Sequence, residues 1–354
     1  MIIQIQQRLN PISKRSTDEF RIMVSSKYSL TRHNNLISLD LLVLNRIIKP
    51  IIGLTLLIFM NVTTSIAADL KTPHYIDIPI HNKQGMFIVS SQINGKNATL
   101  YLDTGSSSSV IDQQHLADFN IKRNDAHTQG NGIAVGTDQI AYTPITINQL
   151  VLGKLVFSKV PAVAMNLDDI NQGNPNPLSG ILGQDFLLSN KALISFSDTS
   201  LLLPNDNGKP RTLMPQQAIN LKRLSNGFFI VPVTINAIKT QLLLDSGSPD
   251  IVLDSAFNTQ LFGEKTTETA IKVPPAKGTQ ALANQTPAER LNVQSVQIGH
   301  HRLERSTLLS TDLSHITQWL ESQENISVNG TLGLKALQEL GAVLDLSKAI
   351  LYIR

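Results

Sequence analysis

The sequence predicts an all-β chain made of two similar lobes related by a pseudo-twofold axis, with a cleft between them. Three observations carry that prediction. The first is an internal duplication: residues 87–112 (FIVSSQINGKNATLYLDTGSSSSVID) lie over residues 229–254 (FIVPVTINAIKTQLLLDSGSPDIVLD) without a gap, at an offset of 142, and agree at 12 of 26 positions. The second is that the apolar runs are short, alternating or continuous, and punctuated by Gly, Asn and Asp, whereas helical periodicity is scarce. The third is length: 354 residues allow two domains, each able to bury a core of its own.

Residues 1–67 form an N-terminal extension of different character. Residues 1–50 hold eight Lys or Arg against three Asp or Glu, so the net +3 of the whole chain leaves 22 basic against 24 acidic residues, a net −2, for the rest. The basic excess is local to this end, and no nucleic-acid patch is expected. Arg46 and Lys49 precede a ten-residue apolar run, 51–60, and the small residues Ser65, Ile66, Ala67 and Ala68 follow it. That pattern is a secretory signal peptide, too short in its core for a comfortable membrane span, with an uncleaved membrane anchor over 46–67 as the alternative. The 40-odd residues before the basic segment are unusual for a signal, and translation is expected to start downstream, at Met23 or near Val43. The chain is expected to be exported, periplasmic or secreted, and its lack of cysteine neither requires nor forbids that.

The first lobe is expected over 75–204. After a polar approach (70–82), strands are predicted at 86–93, 99–102, 140–147, 150–157 and 160–165, and a turn-rich loop (NQGNPNPLS, 171–179) follows. Residues 205–220, rich in Asp, Asn, Gly and Pro at their start, are read as the linker. The second lobe, 221–354, restarts the repeat at Phe228 and repeats the strands at 293–298 and 303–309. His300 and His301 are read as solvated turn residues, because adjacent side chains in extended chain point to opposite faces and make a poor metal site. Trp319, the only tryptophan, is expected to pack within 316–320.

Each repeat ends in an apolar run that delivers a carboxylate into a tight turn: Leu100-Tyr101-Leu102 before Asp103-Thr104-Gly105-Ser106, and Leu242-Leu243-Leu244 before Asp245-Ser246-Gly247-Ser248. A carboxylate after so buried a strand is not placed there for solvation. Gly105 and Gly247 allow a turn whose N–H groups aim at the acid, and the hydroxyls of Thr104, Ser106, Ser246 and Ser248 are expected to orient it. A single such turn is as readily a surface turn after a strand. A matched pair at one point of a repeat is a different matter, since two carboxyl groups about 3 Å apart share one proton and serve as base toward water and acid toward a carbonyl oxygen.

Each half thereby resembles a retropepsin, and residues 75 to 354 together resemble the bacterial retropepsin-like aspartic proteases with two such halves in tandem. A second motif carries the resemblance further: Ile181-Leu182-Gly183 in ILGQDFL and Leu332-Gly333 in TLGLKAL stand 80 and 88 residues after the two aspartates, each before a short helical stretch and a closing strand at 192–196 or 342–346. The resemblance implies closed β-barrel lobes, Asp103 and Asp245 as the catalytic pair, Gly183 and Gly333 packing beneath the active-site turns, and no metal or cofactor. It implies peptide or protein as the substrate. The retroviral branch carries Arg after this glycine; here Gln184 and Leu334 stand instead, which removes that branch's ion pairing. The resemblance also places a mobile hairpin flap at 127–138, with Gly130, Gly132 and Gly136. Its counterpart at 273–287 has only Gly278, so the two flaps are expected to differ. Alternatives are a peptide-binding protein without turnover and a dimer pairing lobes between chains. The short linker favours pairing within one chain, hence a monomer.

Overall fold

Each half closes into a six-stranded barrel with the same strand order. This computed structural model describes residues 3–5, 73–83, 85–123, 130–134, 137–171, 174, 176–211, 217–263, 271–273 and 288–354, and the expected leader at 46–67 lies outside them. In the first barrel Met86–Ile93 pairs with Lys96–Leu102, which runs parallel to Gly180–Leu182; Val110–Asp112, Leu155–Met165 and Thr137–Leu152 follow, and the last returns to Met86–Ile93. In the second, Phe229–Ile235, Ile238–Leu244, Gly330–Leu332, Val252–Asp254, His301–Thr311 and Ala288–Ile298 close in the same sequence and with the same strand senses.

Period-two alternation explains which side faces the core. Phe87, Val89 and Ile93 on one strand and Leu100 and Leu102 on the next are buried in the main cluster, and so are Phe229, Val231, Val233, Ile235, Leu242 and Leu244 in the repeat. The strand-connecting turns differ in one residue. Asn94-Gly95 turns with φ of 49° and 80°, and Asn236-Ala237 with 47° and 69°, the two positive values that a two-residue hairpin favours. Both asparagines lock their turn to the long hairpin: Asn94 Oδ1 accepts from Gln149 N, and Asn236 Oδ1 accepts from Gln294 N, each at 2.8 Å.

The halves are joined by a sheet to which both contribute. Leu193–Ser195 pairs antiparallel with Val343–Asp345, Ile194 opposite Leu344, at the centre of the order 74–83, 200–204, 193–195, 343–345, 350–353, 217–220. Cross-bonds on either side of this pair are reciprocal: Phe196 N donates to Ala342 O and Leu346 N to Ala192 O. The strand His74–Lys83 corrects the expected polar approach; its alternation of exposed Asp77 and Pro79 with buried Ile78 and Ile80 is the signal of a half-buried strand. The expected linker also carries strands, with Lys209–Pro210 on His74–Lys83 and Gln217–Asn220 on Ile350–Ile353.

Three expected strands over 140–165 are in fact two long ones, Thr137–Leu152 and Leu155–Met165, because the chain reverses at Gly153 and Lys154 and not at the polar residues that interrupt the apolar pattern. In the second half the strands lengthen likewise, and His301 belongs to the ladder opposite Ile298, leaving Gly299 and His300 in the turn. The helices after the glycine motifs form as expected, Gln184–Ser189 and Leu334–Glu339. A longer one, Ser314–Glu324, was not foreseen; it buries Ile316 and Leu320 in a cluster with Phe228 and Leu243, and Trp319 packs against that cluster.

Candidate active site

The two aspartate turns meet where the barrels adjoin. Leu100, Tyr101 and Leu102 hold the first turn from inside the sheet, Leu242, Leu243 and Leu244 the second, and all six are essentially inaccessible to water. Beneath each turn the glycine motif runs parallel to that strand. Asp103 N donates to Leu182 O and Gln184 N to Ser106 O; in the repeat, Asp245 N donates to Leu332 O and Leu334 N to Ser248 O. A Cβ on Gly183 would stand 2.4 Å from the Ser108 carbonyl oxygen, and one on Gly333 2.1 Å from that of Asp250. Backbone fills the space where a side chain would go.

The turns are tied to each other by a reciprocal set of bonds between Thr104 and Ser246. Thr104 N donates to Ser246 Oγ at 3.0 Å and Ser246 N to Thr104 Oγ1 at 2.8 Å; the hydroxyls in turn donate to Leu244 O at 3.4 Å and to Leu102 O at 3.1 Å. Sequence reasoning assigned these hydroxyls to the neighbouring acids. A hydroxyl has one proton, and theirs goes to the opposite half, while the protons of Ser106 and Ser248 go to the Ser108 and Asp250 carbonyls and close their own turns. The acids are held by backbone: Gly105 N donates to Asp103 Oδ1 at 2.7 Å and Gly247 N to Asp245 Oδ1 at 2.8 Å.

Asp103 is fully buried and Asp245 is 2% exposed. Burial pushes the Asp103 carboxyl up to about 8; the Asp245 carboxyl beside it, with which it shares a hydrogen bond, adds to the rise, and the Gly105 N–H opposes it. Two carboxyls in such proximity can share one proton, an arrangement able to supply a general acid and a general base. Tyr101, two residues before Asp103, is completely buried, and its hydroxyl has no hydrogen-bond partner among the described residues. Burial first, then the charges of Asp103 and Asp245, hold its proton on well above the usual range for tyrosine.

Two residues beneath the first turn were not assigned a role from the sequence. Asp185 accepts from Ser109 N, Ser109 Oγ and Phe186 N at 2.6–2.8 Å, and Ser109 Oγ accepts from Gly183 N. Burial raises its carboxyl, against the pull of the bonds from Ser109 and Phe186. Gln184 is wholly buried, and its Nε2 donates to the Thr104 carbonyl at 2.8 Å. The only sequence signal was a departure from the arginine of the retroviral pattern.

Of the flap positions, Gly130 and Gly132 lie in the strand Gly130–Ala134, which forms a hairpin with Thr137–Leu152 and has a register shift between Gly132 and Ala134. Ile3–Ile5 pairs antiparallel with that strand's other edge, and the helix Ser314–Glu324 of the second half approaches it. Gly136 and Gly278 lie outside the described residues, although Ile271–Val273 pairs with the start of Ala288–Ile298 to begin a hairpin in the second half. Among the described residues no group of three or more His, Cys, Asp or Glu is placed to hold a metal, and no helix is long and apolar enough to cross a membrane.

Residues 89–186, which include Asp103, its turn and Gly183, match the sequence profile of the aspartyl protease family. No curated protein matches the chain. Among solved structures, an aspartic proteinase from Irpex lacteus is 16% identical over 78% of this chain and 96% of its own, with a TM-score of 0.46. Basic 7S globulin from soybean is 12% identical over 79% and 96%, TM-score 0.44. A retropepsin-like aspartic protease from Rickettsia conorii is 20% identical over 37% of this chain and 88% of its own, TM-score 0.25.

Proposed function

We propose that this chain is an aspartic endopeptidase that hydrolyses peptide bonds with a water held between Asp103 and Asp245, one from each half of a single molecule. The observation that carries this reading is the reciprocal bonding of Thr104 and Ser246, which ties two matching acid turns together, with the Asp245 carboxyl beside that of Asp103. The family match over the first half supports the same chemistry. The pair shares one proton, assigned to Asp103, whose carboxyl burial raises. The ionised partner takes a proton from water as its oxygen bonds to the scissile carbonyl carbon, and Asp103 gives its proton to the carbonyl oxygen. The tetrahedral diol then collapses: the C–N bond breaks, the amine leaves with a proton returned through Asp245, and Asp103 recovers its own from the diol. Atoms and charge balance without a metal or cofactor.

The flap hairpin at Gly130–Ala134 would cover an extended peptide, and pairing within one chain makes a monomer the working unit. Residues 46–67 would direct export, with cleavage after Ala67 or Ala68; N-terminal sequencing of the mature protein tests this, and an intact residue 50 would mean an anchor instead. The activity is tested by incubating the purified protein with a denatured protein substrate across pH, with and without pepstatin, whose hydroxyl stands in for the attacking water. Hydrolysis is expected to fall as pH rises on the basic side, where the pair loses the proton that burial holds on it. A rate still climbing at pH 9, or one abolished by EDTA, would refute the reading.

A further inference from the structure

One buried polar side chain near the acids has no counterpart in the other half. Gln184 follows the glycine motif of the first half, and Leu334 occupies the same place in the second. Both are inaccessible to water, and their backbone N–H groups make matching bonds to Ser106 and Ser248. Leucine is thus sufficient to fill the space and continue the fold. Glutamine brings an amide into that space at a cost: its Oε1 is buried with no hydrogen-bond partner among the described residues, and a buried acceptor without a donor is destabilising. The amide's other end makes the one bond that leucine cannot, from Nε2 to the Thr104 carbonyl. The orientation is fixed by chemistry, because a carbonyl oxygen can only accept.

That carbonyl belongs to the same peptide group as the Gly105 N–H, which donates to Asp103 Oδ1. A single peptide plane therefore receives a hydrogen bond at one end and gives one to the acid at the other. We propose that Gln184 is a positioning residue for Asp103: through the Thr104–Gly105 peptide it orients and polarises the N–H that holds the acid, and so makes the two otherwise equivalent aspartates unequal. Hydrogen bonds in such a chain strengthen one another. The donor favours the ionised form of Asp103 and opposes the burial that holds the proton on, which keeps Asp103 able to release its proton within the working range of pH. The titratable groups that face Asp103 among the described residues are Asp245 across the turn and Tyr101 on its own strand, and Asp185 stands behind the turn through Ser109. Tyr101 keeps its proton throughout, and Asp185 bonds to Ser109 and Phe186.

This inference rests on the dyad reading above, and the experiment separates the two. The full chain is assayed for hydrolysis from pH 3 to 10 as wild type, Asp103→Asn, Gln184→Leu, Gln184→Met and Leu334→Gln, each checked by thermal unfolding. Gln184→Leu places in the first half the residue the second half already holds; Gln184→Met keeps the unbranched shape without the donor. Both are expected to move the basic limb of the rate profile up by about half a pH unit and to lower the maximal rate roughly tenfold, leaving the acidic limb in place. Leu334→Gln, which offers a donor beneath the other turn, is expected not to reproduce the upward shift of the basic limb of the Gln184 variants. A uniform fall in rate with both limbs unmoved would make Gln184 a packing residue and overturn the proposal, as would failure of both donor-less variants to fold. If Asp103→Asn keeps its activity, it is the dyad reading that falls.

Discussion

The two halves are most alike where they touch each other and least alike behind that contact. Thr104 and Ser246 differ by a methyl group and make the same pair of bonds to one another, and Gly183 and Gly333 are both closed in by backbone carbonyls. Beneath and beyond, the halves part: Gln184-Asp185 against Leu334-Lys335, Asn94-Gly95 against Asn236-Ala237, a four-residue helix at Asp168–Asn171 against the eleven residues of Ser314–Glu324. A residue at a pseudo-twofold axis must fit its own copy, so the two positions constrain each other. A residue supporting only its own barrel has no such constraint.

The largest test of equivalence is chemical. Asp103→Asn and Asp245→Asn are each expected to lower hydrolysis at least a hundredfold, because one carboxyl cannot be both acid and base and groups acting as a unit fail together. Retention of a tenth of the activity in either would break the symmetry of the pair. Activity restored by mixing the two variants would place the partner turns in different chains.

Stability should depend on pH through the buried Asp103. The Asp103 carboxyl sits near 8 in the folded chain and about 3.9 when unfolded. From roughly pH 4 upward the unfolded state gives up a proton that the folded state keeps, so this group's contribution is present below pH 4 and is lost as pH rises toward 8. Asparagine carries no such penalty. Asp103→Asn is expected to unfold several degrees higher than wild type at pH 8 and with little difference at pH 4, as followed by circular dichroism. An advantage independent of pH would mean that burial is not what raises this acid.

The cross-half bonds should show equal costs. Thr104→Val leaves Ser246 N, and Ser246→Ala leaves Thr104 N, buried without an acceptor, at about 1–3 kcal/mol each in denaturant unfolding. The double variant is expected to cost less than the sum, since the residues share one network. Additive costs would deny the coupling.

The smallest effect lies at the hairpin turns. Ala237 holds φ at 69°, where a side chain is strained and glycine is not. Ala237→Gly should stabilise by about 1 kcal/mol and Gly95→Ala should destabilise by a similar amount, as read from unfolding midpoints. Opposite signs would sharpen the view that the two turns are one turn with different residues.

Much of the site was legible because its parts are local. An apolar triplet, an acid and a glycine two residues on suffice to build a turn whose N–H meets the carboxylate, and the repeat announces that there are two. The strand His74–Lys83 was missed because its outer face is polar and because, beyond its short pairing with Met86–Ile93, its other ladder partners lie more than a hundred residues away. The helix Ser314–Glu324 was missed because the apolar stripe of Ile316, Trp319 and Leu320 is short. The hydroxyls of Thr104 and Ser246 were placed beside the right acids and given the wrong partners, since nothing in a turn's own sequence says that its hydroxyl will be met from a turn 142 residues away.

The sequence by itself determined the all-β class, the duplication and the two acid turns, because each depends on spacing within about thirty residues or on a copy that can be aligned by eye; the glycines beneath the turns, 80 and 88 residues on, were legible only through the resemblance. Only the tertiary structure decided which bonds cross between the halves, that the closing strands 193–195 and 343–345 meet in one sheet, and that Gln184 reaches the peptide holding Asp103. Those contacts join residues 80 to 152 positions apart, and a hydrogen bond between distant residues has a direction and a length only once both backbones have been fixed by the burial of everything between them.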